Sequence, residues 1–220
     1  EEDVPGACET IPPIWQPRAV RNGSEIAGLG AENPKAFVAA AMMTTVLLRE
    51  YSDLLRGDLM LGLGAGGMPT NKRPGNNRAG VGHGAGVAHM LEQGFRADYA
   101  VIAKPVWQVS YEEAGLAWFR IRVRGLYGYS GLRHLVPYRN PVRYAARVVE
   151  HIEAWIPQYS SEHEFGAVRP QGVVSAITGG WPWRPAFVPA NCDVYVDMRV
   201  APNEDPVDVK RALLQHLNVL

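Results

Sequence analysis

Gly62, Gly64 and Gly67 are spaced G-x-G-x-x-G directly after the apolar run Leu59-Met60-Leu61. That spacing suits a dinucleotide loop, in which glycines let backbone N–H groups close on a pyrophosphate. The same chemistry needs a helix that starts at once and an acid about 20 residues further on for the ribose. Here the chain continues Met68-Pro69-Thr70-Asn71-Lys72-Arg73-Pro74, and the next acid is Glu92. The context excludes a nucleotide loop and leaves a glycine loop after a strand. A second series, Gly80, Gly82, Gly84 and Gly86, lacks the Lys-Ser/Thr of a phosphate-binding loop. It reads as a plain loop, or as a nest of N–H groups for an anion.

The remaining chemistry-bearing residues are scattered. Lys104 closes the apolar run "ADYAVIAK". It reads as a surface lysine or as a desolvated base or nucleophile. Tyr129 and Ser130 could touch a ligand or simply make a turn. Arg199 could grip a carboxylate in a fork or join an ion pair across strands. His83 and His89 lie six apart, which is not ligand spacing on a helix. "WPW" at 181–183 reads as an apolar plug in a turn or as a partner contact.

These residues need elements to position them. Asn33-Pro34, Asn140-Pro141 and Asp205-Pro206 each read as a helix start, a capping side chain followed by proline at the first helical position. They predict helices from 34, from 141 to 155 and from 206 to 217. The first is apolar nearly all round, which predicts burial. Strands are expected at 58–63, 99–103, 116–124, 172–178 and 191–200. In "LAWFRIRVRG", Ala117, Phe119, Ile121 and Val123 alternate with Trp118, Arg120, Arg122 and Arg124, the pattern of a sheet with one wet face. The fold expected is α/β in two parts, helix-strand-loop-helix-strand over the first 110 residues and a βαββα pattern over the last 100, with a join near 108–117. Trp15 reads as an anchor for the proline-rich opening segment.

Composition narrows the classes. Twenty-two basic and 22 acidic side chains cancel, so no global field draws nucleic acid or an anionic membrane. The longest apolar run, residues 37–48, is too short to span a bilayer. Glu1-Glu2-Asp3 does not read as a signal peptide. Cys8 and Cys192 make neither a disulfide framework nor a zinc cluster, and a reducing cytoplasmic setting is expected.

Five segments together resemble the zinc-dependent aminoacylase, acetylornithine deacetylase and succinyl-diaminopimelate desuccinylase group of metallopeptidases. They are "DVPG…PPIWQP…RNG…GLGAENPKA", "GDLMLGLGAGGMP", "ADYAVIAKPV", "FRIRVRGLYGYSGLRHLVPYRNPVRYAARVV" and "VDMRVAPNEDPVDVKRAL". The resemblance runs through nearly the whole chain in order. It implies an amide hydrolase fold with two zinc ions: a partial catalytic-type α/β sheet domain over 1–116 and an α+β lid (dimerisation) domain over 117–220, incomplete at its C-terminal end.

The same resemblance implies that the metal site is gone. If Asp3 is the Asp of the first motif, Glu1 stands where the family has a ligand histidine. The bridging aspartate falls on Asn33. The acidic triplet falls on Gly66, Gly67 and Met68, which removes the general base at Gly67 and a ligand at Met68. A glutamate falls on Lys104, and the lid histidine on Tyr129. The last ligand histidine falls past Leu220. Arg199 matches a lid-strand arginine. A pair of zinc ions needs carboxylate and imidazole ligands, and a thioether is too soft to replace a carboxylate. A lysine about 4 Å from a divalent cation is repelled by roughly 8 kcal/mol at an effective dielectric of ~20. Lys104 thus reads also as a cation standing where metal charge sat.

Two functions follow as expectations. One is a metallopeptidase-like structural or regulatory subunit with no cofactor, joined through 117–220 to itself or to another polypeptide. The other is an amidohydrolase of N-acyl amino acids, using zinc or recruited groups (Lys104, Tyr129, His83) and completed by another chain. A weaker third is a ligand-binding module in which Lys104 and Arg199 hold a carboxylate, with Asn33 and Ser130 nearby.

Overall fold

The computed structural model describes residues 18–68, 70, 82–104 and 109–220. Glu1, Asp3, Cys8 and Trp15 lie outside the described residues. Backbone packing divides the chain into two units, Glu1–Gln108 and Val109–Leu220.

In the first unit, β1 (Val20–Asn22) and β2 (Glu25–Ala27) form a hairpin, with Val20 opposite Ala27 and Asn22 opposite Glu25. A short π-type turn, Ala31–Ala36, leads into helix α1 (Phe37–Arg49). Asn33 does not cap this helix. Its backbone is extended, at φ −110° and ψ 112°, and the Asn33–Pro34 peptide is cis. The helix starts four residues later, with no side-chain cap. Proline biases the residue before it away from the helical region, and here no side-chain bond draws the helix start back to Asn33.

Helix α1 is also not buried. None of its residues is buried, and Met43 is 58% exposed. A helix apolar on every side needs cover on every side, and the described residues do not supply it.

The stretches 58–63 and 99–103 form no strand and carry no strand pairing among the described residues. Leu59, Met60, Ile102 and Val101 are exposed, the last almost completely. A strand exists through its neighbours, because its ladder bonds are all made to another strand. Helix α2 (Ala85–Glu92) completes the first unit.

The second unit is a sheet with two helices. Strands β3 (Gly115–Arg124), β5 (Gly172–Gly179) and β7 (Asn191–Val200) form one antiparallel sheet in the order β3-β7-β5. Short strands β4 (Gly128–Tyr129) and β6 (Phe187–Val188) pair beside it. Helix α3 spans Pro141–Glu162 and α4 spans Pro206–Leu217. Here the expected caps form. Asn140 accepts from the Val142 N–H at 3.0 Å, and Asp205 from the Val207 N–H at 2.7 Å.

Helix α3 runs seven residues past the expected end at 155, with Pro157 inside it. Proline costs a helix its i→i−4 bond. The cost is met by burial on the same stripe, because Ile152, Trp155, Ile156 and Tyr159 all enter the core.

The core lies between the sheet and the two helices. Val194, Val196 and Met198 of β7 meet Ala145 and Ile152 of α3 and Val209 and Leu213 of α4. The alternation in β3 works as expected. Ala117, Phe119, Ile121 and Val123 face the core, and Trp118, Arg120, Arg122 and Arg124 face away. The strand β5 carries an irregularity between Val174 and Ala176. Beside it, Glu153 of α3 accepts the Val174 N–H at 2.6 Å, tying helix to strand.

Candidate functional site

The two glycine series meet each other. The Gly84 N–H donates to the Gly66 carbonyl and the Gly86 N–H to the Ala65 carbonyl, both at 2.9 Å. The His83 N–H donates to the Met68 carbonyl at 3.0 Å. A Cβ on Gly86 would lie 2.3 Å from the Ala65 oxygen, and one on Gly64 would lie 2.9 Å from Val87 Cγ2. Glycine is therefore required by close backbone approach. The N–H groups of His83, Gly84 and Gly86 are spent on carbonyl oxygens, so these residues dock the loop after Leu63 onto the start of α2.

At the positions where the resemblance would put metal ligands, the donor chemistry is poor. Asn33 is exposed on extended backbone. Gly67 has no side chain and open space around it. Met68 offers a thioether on an exposed residue while its carbonyl is taken by His83. Lys104 is exposed on a segment with no regular secondary structure. Among the described residues no three His, Cys, Asp or Glu side chains converge closely enough to hold a metal ion. These residues do not fit a dinuclear zinc site.

In the second unit, Tyr129 sits in β4 opposite Phe187 of β6, their rings 5.5 Å apart. Tyr127 stacks on the same Phe187 at 5.8 Å and meets Trp181 edge-on at 6.2 Å. The Arg184 guanidinium lies 4.9 Å from the Phe187 ring centre. Ser130 begins a 3-10 turn, its N–H bound to the Ala186 carbonyl at 2.9 Å. The "WPW" motif thus adds Trp181 to an aromatic cluster, while Trp183 remains 79% exposed.

Arg199 is held at the far end of the sheet. Its Nη2 lies 2.9 Å from Asp197 Oδ2, an ion pair within one strand rather than across strands. Its backbone N–H donates to the Gln171 carbonyl at 2.7 Å, and its carbonyl accepts from the Tyr159 hydroxyl at 2.6 Å. Burial, and then Glu204, push the Tyr159 hydroxyl pKa up to about 12, so it remains a donor.

The ladder sets the distance between these candidates. Arg199 pairs with Leu116, and Asn191 pairs with Arg124, just before β4. Eight residues of strand separate those pairs, roughly 26 Å at ~3.3 Å per residue. Arg199 lies at the end of that ladder away from the segment leading to Tyr129 and Ser130, and Tyr129 sits in the separate β4–β6 pair. One chain does not bring them to one small ligand.

A second constellation has no counterpart in the motif reading. His151, Trp155 and Tyr159 of α3 and His163 at its C-terminal cap follow one another at intervals of four. His216 of α4 joins them, its ring 4.1 Å from His151 and 4.7 Å from Trp155. Trp155 to Tyr159 is 5.2 Å and Tyr159 to His163 is 4.3 Å. His163 Nδ1 closes the column on Glu204 Oε1. The i, i+4 repeat of ring side chains was the available signal, because such residues share one face of a helix.

No helix among the described residues is long and apolar enough to cross a membrane. A model of the M20 peptidase dimerisation domain matches residues 111–220. Among solved structures, the chain is similar to an amidase of the hydantoinase/carbamoylase family from Burkholderia phymatum. That match has 16% identity and a TM-score of 0.38, and covers 49% of this chain and 25% of the amidase. It is also similar to an M20 family metallo-carboxypeptidase from Sulfolobus solfataricus, at 18% identity and a TM-score of 0.34. There it covers 49% of this chain and 35% of the other. The chain spans about a quarter of the length of the Burkholderia phymatum amidase and of several other solved proteins it matches.

Proposed function

The chain belongs to the M20 peptidase family through its dimerisation domain, and from that premise we propose that it is a metallopeptidase-like protein without its dinuclear metal site, serving as a non-catalytic structural or regulatory subunit. The observation that carries this reading is the donor set at Asn33, Gly67, Met68 and Lys104. A neutral amide, a missing side chain, a thioether and a cation replace ligands that must be anionic or imidazole. The part of the molecule that supports the subunit role is 117–220, whose sheet and helices share one hydrophobic core. A homodimer or a heteromer through this region is the expected assembly.

Native mass spectrometry after incubation with zinc tests both halves. Metal-free dimers, or complexes with a second polypeptide, are expected. Two zinc ions per chain would end the reading.

The alternative is an amidohydrolase of N-acyl amino acids whose site is shared between chains, using zinc or the recruited groups Lys104, Tyr129 and His83. The separation of Tyr129 from Arg199 favours sharing, because a ligand touching both would have to draw them from two copies. Assays on a panel of N-acyl amino acids, with Lys104→Ala and Tyr129→Phe, test it. Silence across the panel retires it.

A further inference from the structure

The contact between α3 and α4 ends on two stacked histidines. His151 Nε2 faces the His216 carbonyl at 3.0 Å. A carbonyl only accepts, so this nitrogen carries the hydrogen. His151 thereby satisfies one of the last carbonyls of α4, which the helix itself leaves open. The two rings lie 4.1 Å apart and 18° from parallel, and the Trp155 indole lies 17° from parallel to His216. His216 Nε2 is buried and makes no hydrogen bond among the described residues.

A proton on His216 has no acceptor here and adds charge to a ring resting on another imidazole. A cation in the last turn of a helix is ordinarily favoured by the helix dipole. Burial outweighs that gain, because it and then His151 move the His216 pKa below its ordinary value. His151 is the titratable ring that α3 turns to His216, and Arg147 lies one exposed turn before it. From the sheet, Cys192 faces inward, its thiol pushed up by burial and then by Asp193 and so neutral. Arg120, Arg122 and Arg124 of β3 and Asp193 and Asp197 of β7 occupy the alternate, outward positions. On α4 itself, Arg211 is engaged with Asp208, and Lys210 is exposed.

We propose that the stacked His151–His216 contact is an acid-sensitive latch: protonation of His216 frees the C-terminal end of α4 from α3. The rest of α4 stays seated, because Val209 and Leu213 are buried in the core and Asp205 caps its first turn. The released segment is the last turn of α4 and the residues after it, at the edge of the layer that covers the sheet. The latch is independent of whether the chain has a catalytic site.

Hydrogen exchange on the whole chain at pH 7.5 and 5.5, corrected for the intrinsic pH dependence of exchange, tests the proposal. Protection over residues 214–220 is expected to fall several-fold at the lower pH, while 141–149 holds. In His216→Phe, which keeps a flat ring without a titrating group, that pH response is expected to vanish. An unchanged response in this variant, or none in the parent chain, overturns the latch. If the variant does not fold, NMR titration of His216 in the parent decides. A midpoint below 6.5 supports the latch, and one at or above 6.5 overturns it.

Discussion

Arg122 donates two parallel hydrogen bonds to Asp193, from Nε to Oδ1 and from Nη2 to Oδ2, each 2.8 Å long. The two residues are directly opposite in the β3–β7 ladder. Asp193 is buried while half of the Arg122 side chain remains in solvent. This is bidentate geometry, which fixes orientation as well as charge. The Arg122 hydrogen bonds hold the Asp193 carboxyl below its ordinary range. A depressed carboxylate stabilises the fold above its unfolded pKa, and that stability is lost as pH falls through the folded value. The second unit should therefore lose stability below about pH 4, the ordinary carboxylate range. Chemical denaturation as a function of pH should show the loss, and Asp193→Asn should flatten it. Arg122→Ala removes both hydrogen bonds, leaves Arg120 as the remaining cation acting on the carboxylate, and should raise the pH at which the loss sets in.

Gly86 and Gly67 make a matched pair. Gly86→Ala places a methyl group against the Ala65 backbone at 2.3 Å. The alanine gains up to about 1 kcal/mol of helix propensity, but overpacking against backbone costs about 1–3 kcal/mol, so the net effect should be loss. Gly67→Ala meets open space and should stay within about 0.5 kcal/mol of the parent. Limited proteolysis between 64 and 86 should separate the two variants.

Tyr159→Phe deletes the donor to the Arg199 carbonyl and should cost about 1 kcal/mol in thermal or chemical unfolding. It should also change the alkaline limb. A tyrosine raised to about 12 in the fold favours the folded state below its unfolded pKa of about 10. That contribution is lost as pH rises from about 10 to the folded value. The parent should weaken across this window, and the Phe variant should lack this part of the loss.

The three asparagine and aspartate candidates for helix caps should not behave alike. Asn140→Ala and Asp205→Ala each remove a formed capping bond and should cost about 1 kcal/mol. Asn33→Ala removes none and should be near neutral by the same thermal melts.

The second unit was legible in the sequence because its signals are short-range. Asn140-Pro141 and Asp205-Pro206 fix helix starts within three residues, and the period-2 pattern of β3 and β7 fixes which side chains face the core. The donor types at Asn33, Gly67, Met68 and Lys104 are likewise properties of the sequence and need no structure to be poor metal ligands.

Tertiary structure decided everything that depends on a neighbour. Residues 58–63 and 99–103 have strand composition, but pairing is made by another strand. Helix α1 has the composition of a buried helix, but burial is supplied by what lies over it. Pro157 would end a helix locally, yet Tyr159 and Ile156 gain enough in the core to carry α3 past it. The glycines look like a ligand loop until the 64–68 and 82–86 backbones are seen to fill each other's hydrogen bonds. Strand pairing alone puts Tyr129 and Arg199 in two different sheets, and the packing of α4 on α3 alone lays His216 against His151. Sequence spacing sets what a segment can do through bonds a few residues long. Long-range contacts select which of those capacities is used.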